Sequence, residues 1–263
     1  NDINLRHVIT APPGKVLAII DFAQIEPRVL LYLAGDTATL QRVKDGEDLY
    51  EAHARETMGY KDPRPLEQVD PAMRKLAKAR VLGLGYSCGK ERFIEVAKSM
   101  AGLELTLDEA ASIVHSYRRT NPQIIALWKR YEAEFKAHHG KHYYLALPRS
   151  RQDASRKLIY RNVDANAGVA KVAGKEAHLY GGKLVENLTQ ATARDILAEA
   201  WIRCYDAGFK PILSIHDELV FELDEDKAEE QLRKITSLME QPVDWAPEIP
   251  LKVKGTLSKH YLK

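Results

Sequence analysis

Two aspartates lie at positions where their carboxylates could together bind metal ions for catalysis. Asp21 follows the apolar run 16–20, which predicts a buried strand, and Asp217 lies between β-rich runs at 212–215 and 219–223. If these strands pair, both carboxylates meet at one edge of one sheet. Carboxylates are hard ligands that Mg²⁺ prefers, and two such ions stabilise the attacking and leaving oxygens of an in-line displacement. The pair therefore predicts phosphoryl or nucleotidyl transfer, although an aspartate after a strand, taken alone, is more often a turn residue.

A helix predicted at 71–86 offers cations to complement these acids. Four of its side chains recur at every fourth position and form one slowly drifting stripe: Arg74, Lys78, Leu82 and Tyr86. The two cations suit a triphosphate, and the apolar and aromatic side chains suit a sugar and a base. The alternative is a surface face whose long side chains snorkel towards water.

The remaining elements predict the scaffold that positions these residues. A strand and helix surround Asp21, and several helices follow, one of them opened by the capping-box pair Thr106 and Glu109. A helix over 183–205 then leads to the hairpin around Asp217, a polar helix and an extended tail. This order predicts an α+β fold, with a small, mostly antiparallel sheet and a large helical insertion.

The amino-acid composition narrows the class of protein only slightly. Apolar residues make up 45% and charged residues 29% of the 263, and no run approaches the roughly 20 apolar residues of a membrane span. Two distant cysteines without metal-ligand spacing indicate a reduced, intracellular setting. The net charge of +2 is a weak sign of nucleic-acid binding, but residues 149–161 carry five arginines and lysines against one aspartate. Such a run is also typical of a solvated surface.

Four segments resemble the motifs of family A DNA polymerases, the class of bacterial DNA polymerase I and many phage enzymes. DFAQIEPRVLLYLAGD (21–36) is similar to motif A, RKLAKARVLGLGY (74–86) to motif B and SIHDELVFEL (214–223) to motif C. The segment at 180–197 resembles the helix before motif C in its phage form. The four occur in the family's order and with family-like gaps, so the resemblance covers nearly the whole chain.

The resemblance implies a template-directed DNA polymerase that adds dNTPs to a primer 3′ end in replication or repair. It implies a palm built from 1–40 and 184–263, with helical fingers from 41–183 between these parts. The metal ligands would be Asp21, the Phe22 carbonyl and Asp217, holding two Mg²⁺ ions, for which Mn²⁺ can substitute.

Further roles carry over from the same motifs. Glu218 would assist near the primer terminus, and Lys78 would also donate a proton to the leaving pyrophosphate. Glu26 would be a steric gate beneath the 2′ position of the sugar. The residues expected to bind the nucleotide are Gln24, Glu26, Tyr50, Arg74, Lys78, Leu82 and Tyr86. The residues expected to contact primer–template DNA are Gln190 and His216.

Several positions depart from the family's pattern. Leu82 stands where Phe or Tyr is usual, Ser87 replaces the Gly after the motif B tyrosine, and Tyr50 stands where bacterial members have His. The loop at 147–151 matches the family's Gly-Arg loop only loosely, which leaves a role for Arg151 in doubt. None of these departures removes a metal ligand.

Only 20 residues precede Asp21, whereas the family's thumb and any exonuclease domain lie upstream of motif A. We therefore expect a fragment, a trimmed chain or a split-gene product, with the thumb supplied by a separate chain or a missing segment. The expected partners are primer–template DNA and dNTPs, without a membrane. The expected location is the cytoplasm, that of the host if the protein is viral.

Three other functions compete with this interpretation. A single-subunit RNA polymerase would share the palm, but Glu26 would crowd a 2′-hydroxyl. A non-catalytic binding module would be expected to lose a metal-ligand aspartate, and both are present. A two-metal nuclease would not be expected to combine its acids with a helix of the motif B type.

Overall fold

The computed structural model describes residues 8–262, which form two compact units. One unit contains the described residues up to Ile25 and those from Thr192 onward, and the other contains Glu26–Ala191. The predicted α+β class is confirmed, because both units combine helices with antiparallel strands. Within residues 8–262, no helix is both long and apolar enough to cross a membrane.

The elements occur in the following order: β1 (Lys15–Phe22), α1 (Ile25–Ala34), α2 (Thr37–Lys44), α3 (Leu49–Thr57), α4 (Leu66–Val69), α5 (Pro71–Leu84), α6 (Lys90–Ala101), α7 (Leu107–Thr120), α8 (Pro122–Lys136), β2 (Tyr143–Ala146), a short 3₁₀ helix (Pro148–Arg151), β3 (Lys157–Asp164), β4 (Val169–Val172), β5 (Lys175–His178), α9 (Gly181–Asp206), β6 (Pro211–Ile215), β7 (Glu218–Asp224), α10 (Ala228–Met239) and β8 (Val253–Ser258). The strand before Asp21, the capping box of α7 and the hairpin around Asp217 are therefore confirmed.

The first unit is built on an antiparallel sheet with the strand order β6-β7-β1-β8. Strand β1 lies inside this sheet because its residues from Leu17 to Ile20 are apolar and buried on both faces. Helix α10 packs against one face, where Leu232 approaches Gly255 so closely that a Cβ there would lie 2.7 Å from Leu232 Cδ1. On the other face, Tyr261 packs with Leu17 and residues of the neighbouring strand.

The second unit is organised around α5, which packs between α3 and α6. The helix begins at Pro71, and the Asp70 side chain caps it by accepting a 2.8 Å hydrogen bond from the backbone N–H of Met73. Gly83 allows α6 to approach, since a Cβ there would lie 2.7 Å from a methyl of Val96. The helix ends at Leu84, two residues earlier than predicted, because Ser87 takes up the left-handed φ of +66°.

The second unit also contains an antiparallel sheet with the strand order β2-β3-β4-β5, which the sequence analysis did not predict. Strands β2, β4 and β5 span four residues each and β3 spans eight, and the side chains of β2 are alternately buried and exposed. The inner face presents Tyr143, Leu145 and Tyr160 to the core of this unit. The outer face is open, and it begins with the exposed pair Tyr144 and Ile159, which lie directly opposite each other.

A polar cluster is buried where α5 meets α3 and α7. Arg80 is 4% exposed, donates to Thr120 Oγ1 at 3.2 Å and lies over the ring of Tyr117. His53 is 5% exposed and lies 3.4 Å from Arg80 Nε. Burial, followed by the charge of Arg80, lowers the pKa of His53 to about 3. His53 is therefore neutral in the folded protein at physiological pH.

Candidate active site

The pairing of β1 with β7 brings Asp21 and Asp217 to one end of the first sheet. Asp21 lies directly opposite Glu218, and the backbone N–H of Phe22 donates a 3.1 Å hydrogen bond to the carbonyl of Asp217. Asp217 is the second residue of the two-residue turn between Ile215 and Glu218. The register thus makes the two predicted metal-binding aspartates neighbours.

Glu218 is the most buried acid at this end of the sheet, with 2% of its surface exposed. Because directly opposed residues of an antiparallel pair project to the same face, Glu218 and Asp21 share a face. The hydroxyl of Tyr261 donates a 2.7 Å hydrogen bond to Glu218 Oε1. Lys254, opposite Asp21 on β8, adds an exposed cation to this row. The sequence analysis missed Tyr261 and Lys254, whose isolated positions near the end of the chain carry no local signal.

Two residues with left-handed backbone conformations lie beside the aspartates. Gln24 has φ +55°, three residues after Asp21, and His216 has φ +51°, immediately before Asp217. Such conformations are uncommon outside glycine and concentrate at functional sites. The predicted nucleotide-contacting Gln24 and DNA-contacting His216 therefore hold strained positions in the first unit.

The residues at this edge fit a magnesium site in their chemistry. Among residues 8–262, no cluster of three or more His, Cys, Asp or Glu is arranged to hold a metal ion. Two carboxylates are nevertheless compatible with Mg²⁺, because this ion commonly keeps waters and substrate phosphates as the remaining ligands. Asp21 and Asp217 would be the side-chain ligands, and Phe22, 1% exposed, contributes only its backbone at this edge.

In the second unit, Arg74 lies among a tyrosine and two acids. Its guanidinium lies 5.5 Å from the ring centroid of Tyr50, within cation–π range. Arg74 also forms ion pairs with Asp48 at 3.5 Å and Glu67 at 3.7 Å. Asp48 caps α3 by accepting the backbone N–H groups of Tyr50 and Glu51. The predicted nucleotide-binding residues Arg74 and Tyr50 are thus neighbours, and the Asp48 cap that links them was missed.

Lys78 lies one turn further along α5, on the same side as Arg74. Both contribute to a cleft of about 250 Å³ that the end of α6 completes with Met100. Within the described part of the chain, Lys78 has no carboxylate within ion-pairing distance, whereas Arg74 has two. Leu82, a turn beyond Lys78, is half-buried. The cations can therefore meet an anion in this cleft.

Tyr86 lies just beyond the end of α5, at the N-terminal part of α9. Burial, followed by the negative charge of Glu26, raises the pKa of Tyr86, and Glu186 acts in the same direction. The nearby, buried Thr189 acts in the opposite direction. The contact is made possible by Gly182, where a Cβ would lie 2.2 Å from the carbonyl oxygen of Tyr86. The predicted gate Glu26 and the predicted base-pair-closing Tyr86 therefore belong to one local group.

Gln190, predicted to contact DNA, is exposed on α9, one residue beyond Thr189. The predicted site residues thus form an acidic group at the end of the first sheet and a cationic and aromatic group around α5.

The chain belongs to DNA polymerase family A, because the sequence model of this family matches residues 1–263. The resemblance inferred from the four motif segments is confirmed. The DNA polymerase of Bacillus phage SP02 is 31% identical, aligning with 95% of this chain and 42% of its own length. The thermostable DNA polymerase I of Thermus thermophilus is 28% identical, over 98% of this chain and 28% of its own length.

A solved structure shares the fold. The POL domain of Pol1 from M. smegmatis, in complex with DNA primer-template and dNTP, matches with a TM-score of 0.63 and 20% identity, covering 97% of this chain and 42% of that chain. The chain thus spans less than half the length of these relatives.

Proposed function

We propose that this chain is the palm-and-fingers part of a template-directed DNA polymerase that extends a primer 3′ end with dNTPs. The observation that carries the proposal is the β1–β7 register, which makes Asp21 and Asp217 neighbours in a chain of family A. Residues 1–40 and 184–263 would form the palm and 41–183 the fingers. A longer protein or a separate chain would supply the thumb.

Asp21, Asp217 and the Phe22 carbonyl would hold two Mg²⁺ ions, or Mn²⁺ in their place. Such ions neutralise the charge that develops on the attacking and leaving oxygens. Glu218, held by Tyr261, would keep a fixed carboxylate near the primer terminus.

The α5 group would bind and select the nucleotide. Arg74 and Lys78 would hold the triphosphate in the cleft that they line, and Lys78 would donate a proton to the departing pyrophosphate. Glu26 and Tyr86 would limit space around the sugar and the base pair, with Gln24, Tyr50 and Leu82 adjoining them. Gln190 and His216 would contact primer–template DNA. We further propose a cytoplasmic location, in the host if the protein is viral.

Primer extension in the full-length protein tests this proposal. Asp21→Asn and Asp217→Asn should each abolish extension with Mg²⁺ while leaving DNA binding largely intact, because metal ligands stabilise the transition state far more than the ground state. Asp226→Asn, at an exposed acid beyond β7, is the matched control and should extend normally. Extension at the parental rate by either ligand variant would exclude the assignment.

A further inference from the structure

The outer face of the second sheet differs in charge from the rest of the chain. Between residues 141 and 178 there are eight lysines and arginines but only three aspartates and glutamates, whereas the whole chain carries +2. Alternation places Lys157, Ile159 and Arg161 of β3 on the outer face, with Tyr144 of β2 and Lys171 of β4 beside them. We call these five residues the outer-face patch.

Three cations of the patch are exposed and form no ion pair with the described residues, although Glu176 of β5 lies opposite Lys171 in register. Within residues 8–262, no carboxylate lies within ion-pairing distance of Lys157, Arg161 or Lys171. Some exposed cations on the helices do form ion pairs, namely Arg130–Glu134, Lys136–Glu132 and Lys234–Glu230. The patch therefore keeps three positive charges available to an anion from outside the described chain.

Two of these cations also oppose each other across neighbouring strands. Arg161 of β3 is paired in register with Lys171 of β4, and like charges in directly opposed positions destabilise a sheet. A bound polyanion would relieve this repulsion, since each phosphate could neutralise one of the two cations.

The patch carries flat and apolar surface between its charges. Tyr144 is 51% exposed and Ile159, directly opposite, is 36% exposed. Lys157 Nζ lies 5.4 Å from the centroid of the Tyr144 ring, so a cation lies beside an aromatic surface. Proteins that bind single-stranded nucleic acid combine these two features, because cations follow the phosphates while unpaired bases stack on rings.

We propose that the outer-face patch binds single-stranded DNA. The inference rests on the proposed polymerase function for its biological ligand, which is the unpaired template strand. Cations spaced along β3 would follow the backbone, and a base would stack on Tyr144 beside Ile159. Duplex DNA is a poorer match, because its bases are already stacked and offer no free face to the ring.

Fluorescence anisotropy with a labelled oligo(dT) of about 16 nucleotides, without Mg²⁺ or dNTPs, tests the patch. The triple variant Lys157→Gln/Arg161→Gln/Lys171→Gln should bind at least about tenfold more weakly, and its plot of log K against log salt should be shallower by about 2. The control Lys90→Gln/Lys129→Gln/Lys234→Gln loses the same charge at exposed positions elsewhere and should keep the parental slope. Equal losses in the two triples would overturn the proposal.

Tyr144→Ala separates stacking from charge. It should weaken oligo(dT) binding about fivefold or more, with an unchanged salt slope and little effect on a duplex of the same length. An unchanged oligo(dT) affinity would overturn the stacking role. Displacement of oligo(dT) by polyglutamate as readily as by unlabelled oligo(dT) would point to an acidic protein partner and would also overturn the proposal.

Extension of a primer on a template with one unpaired nucleotide gives the separate test of the polymerase itself. The outer-face triple variant should extend this substrate as the parent does, because so short an overhang does not require the patch. A parent that binds oligo(dT) through the patch but extends no primer would support the patch and exclude the polymerase function.

Discussion

The hydroxyl of Tyr261 donates a hydrogen bond to Oε1 of Glu218, across 43 positions of sequence and at a distance of 2.7 Å. Both side chains are buried, so this bond joins the C-terminal segment to the acidic end of the first sheet. It fixes the carboxyl group of Glu218 through a residue that is distant in sequence, and it makes the C-terminal segment relevant to the site.

Tyr261→Phe should destabilise the protein by about 1–3 kcal/mol, because the buried carboxyl group of Glu218 loses a hydrogen-bond donor. Urea unfolding measures the change. Tyr205→Phe removes a hydroxyl from a side chain that is 53% exposed and should leave the midpoint unchanged. Equal midpoints for Tyr261→Phe and the parent would show that the bond contributes nothing to stability.

Glu26→Ala should increase ribonucleotide incorporation. The proximity of Glu26 to Tyr86 supports a role in which the carboxylate fills the space of a 2′-hydroxyl, a device that excludes a near-identical substrate. The measurement is the ratio of dCTP to CTP incorporation efficiency on one template. Glu91→Ala, in the first turn of α6, is the control and should keep the parental ratio. If the Glu26→Ala ratio is also parental, the gate lies elsewhere.

Leu82→Tyr should reduce discrimination against dideoxynucleotides. Leucine offers no polar atom to replace a missing 3′-hydroxyl, and an unmade hydrogen bond in a buried site costs roughly 1–3 kcal/mol, or one to two powers of ten in selectivity. Competition of ddTTP with dTTP in single-nucleotide extension measures the effect. Leu107→Tyr, at an exposed position of α7, is the control. Unchanged selectivity in Leu82→Tyr would assign Leu82 to packing alone.

His53 should make the protein less stable in acid. Its folded pKa of about 3 lies below the unfolded value of about 6.5, so the unfolded chain binds more protons between these values and stability falls as pH decreases through this window. By pH 5 the loss from this group is about 2 kcal/mol relative to pH 7.5. The direction follows from burial first and from Arg80 second.

His53→Gln should therefore show a smaller difference in unfolding free energy between pH 7.5 and pH 5 than the parent does. His115→Gln, at an exposed histidine of α7, should keep the parental difference. Urea unfolding at the two pH values makes the comparison. The same pH dependence in His53→Gln and the parent would show that other groups cause the acid sensitivity.

The sequence predicted those parts of the fold that have strong local signals. The capping box of Thr106 and Glu109 and the apolar run before Asp21 each specify an element through adjacent residues. The strands β2 to β5 were not predicted, because β2, β4 and β5 span only four residues each and the apolar residues of the eight-residue β3 are interrupted by polar ones. Their pairing depends on distant packing, as in the opposition of Tyr143 and Tyr160.

The candidate site shows the same division. Asp21, Asp217 and the spacing of Arg74 with Lys78 were visible as motifs, and their catalytic roles stay predictions. Partners such as Tyr261 for Glu218 were not visible, because a single tyrosine far along the chain acquires its contact only through the tertiary fold. The role of Asp48 as a helix cap could have been predicted, since an acid three positions before Glu51 is typical of a helix start.

The backbone of Gly182 bears on how this protein could be diversified in the laboratory. Any side chain at that position would collide with the carbonyl of Tyr86 and with Cβ of Ser87, at 2.2 and 2.5 Å. A library of variants aimed at new nucleotide substrates should therefore keep Gly182 constant and randomise Leu82. Deep sequencing of the surviving clones should show glycine alone at position 182 and a broad range of residues at Gly89, which has φ −81° and where a Cβ would meet Glu91 Oε2 at an ordinary contact distance of 3.7 Å.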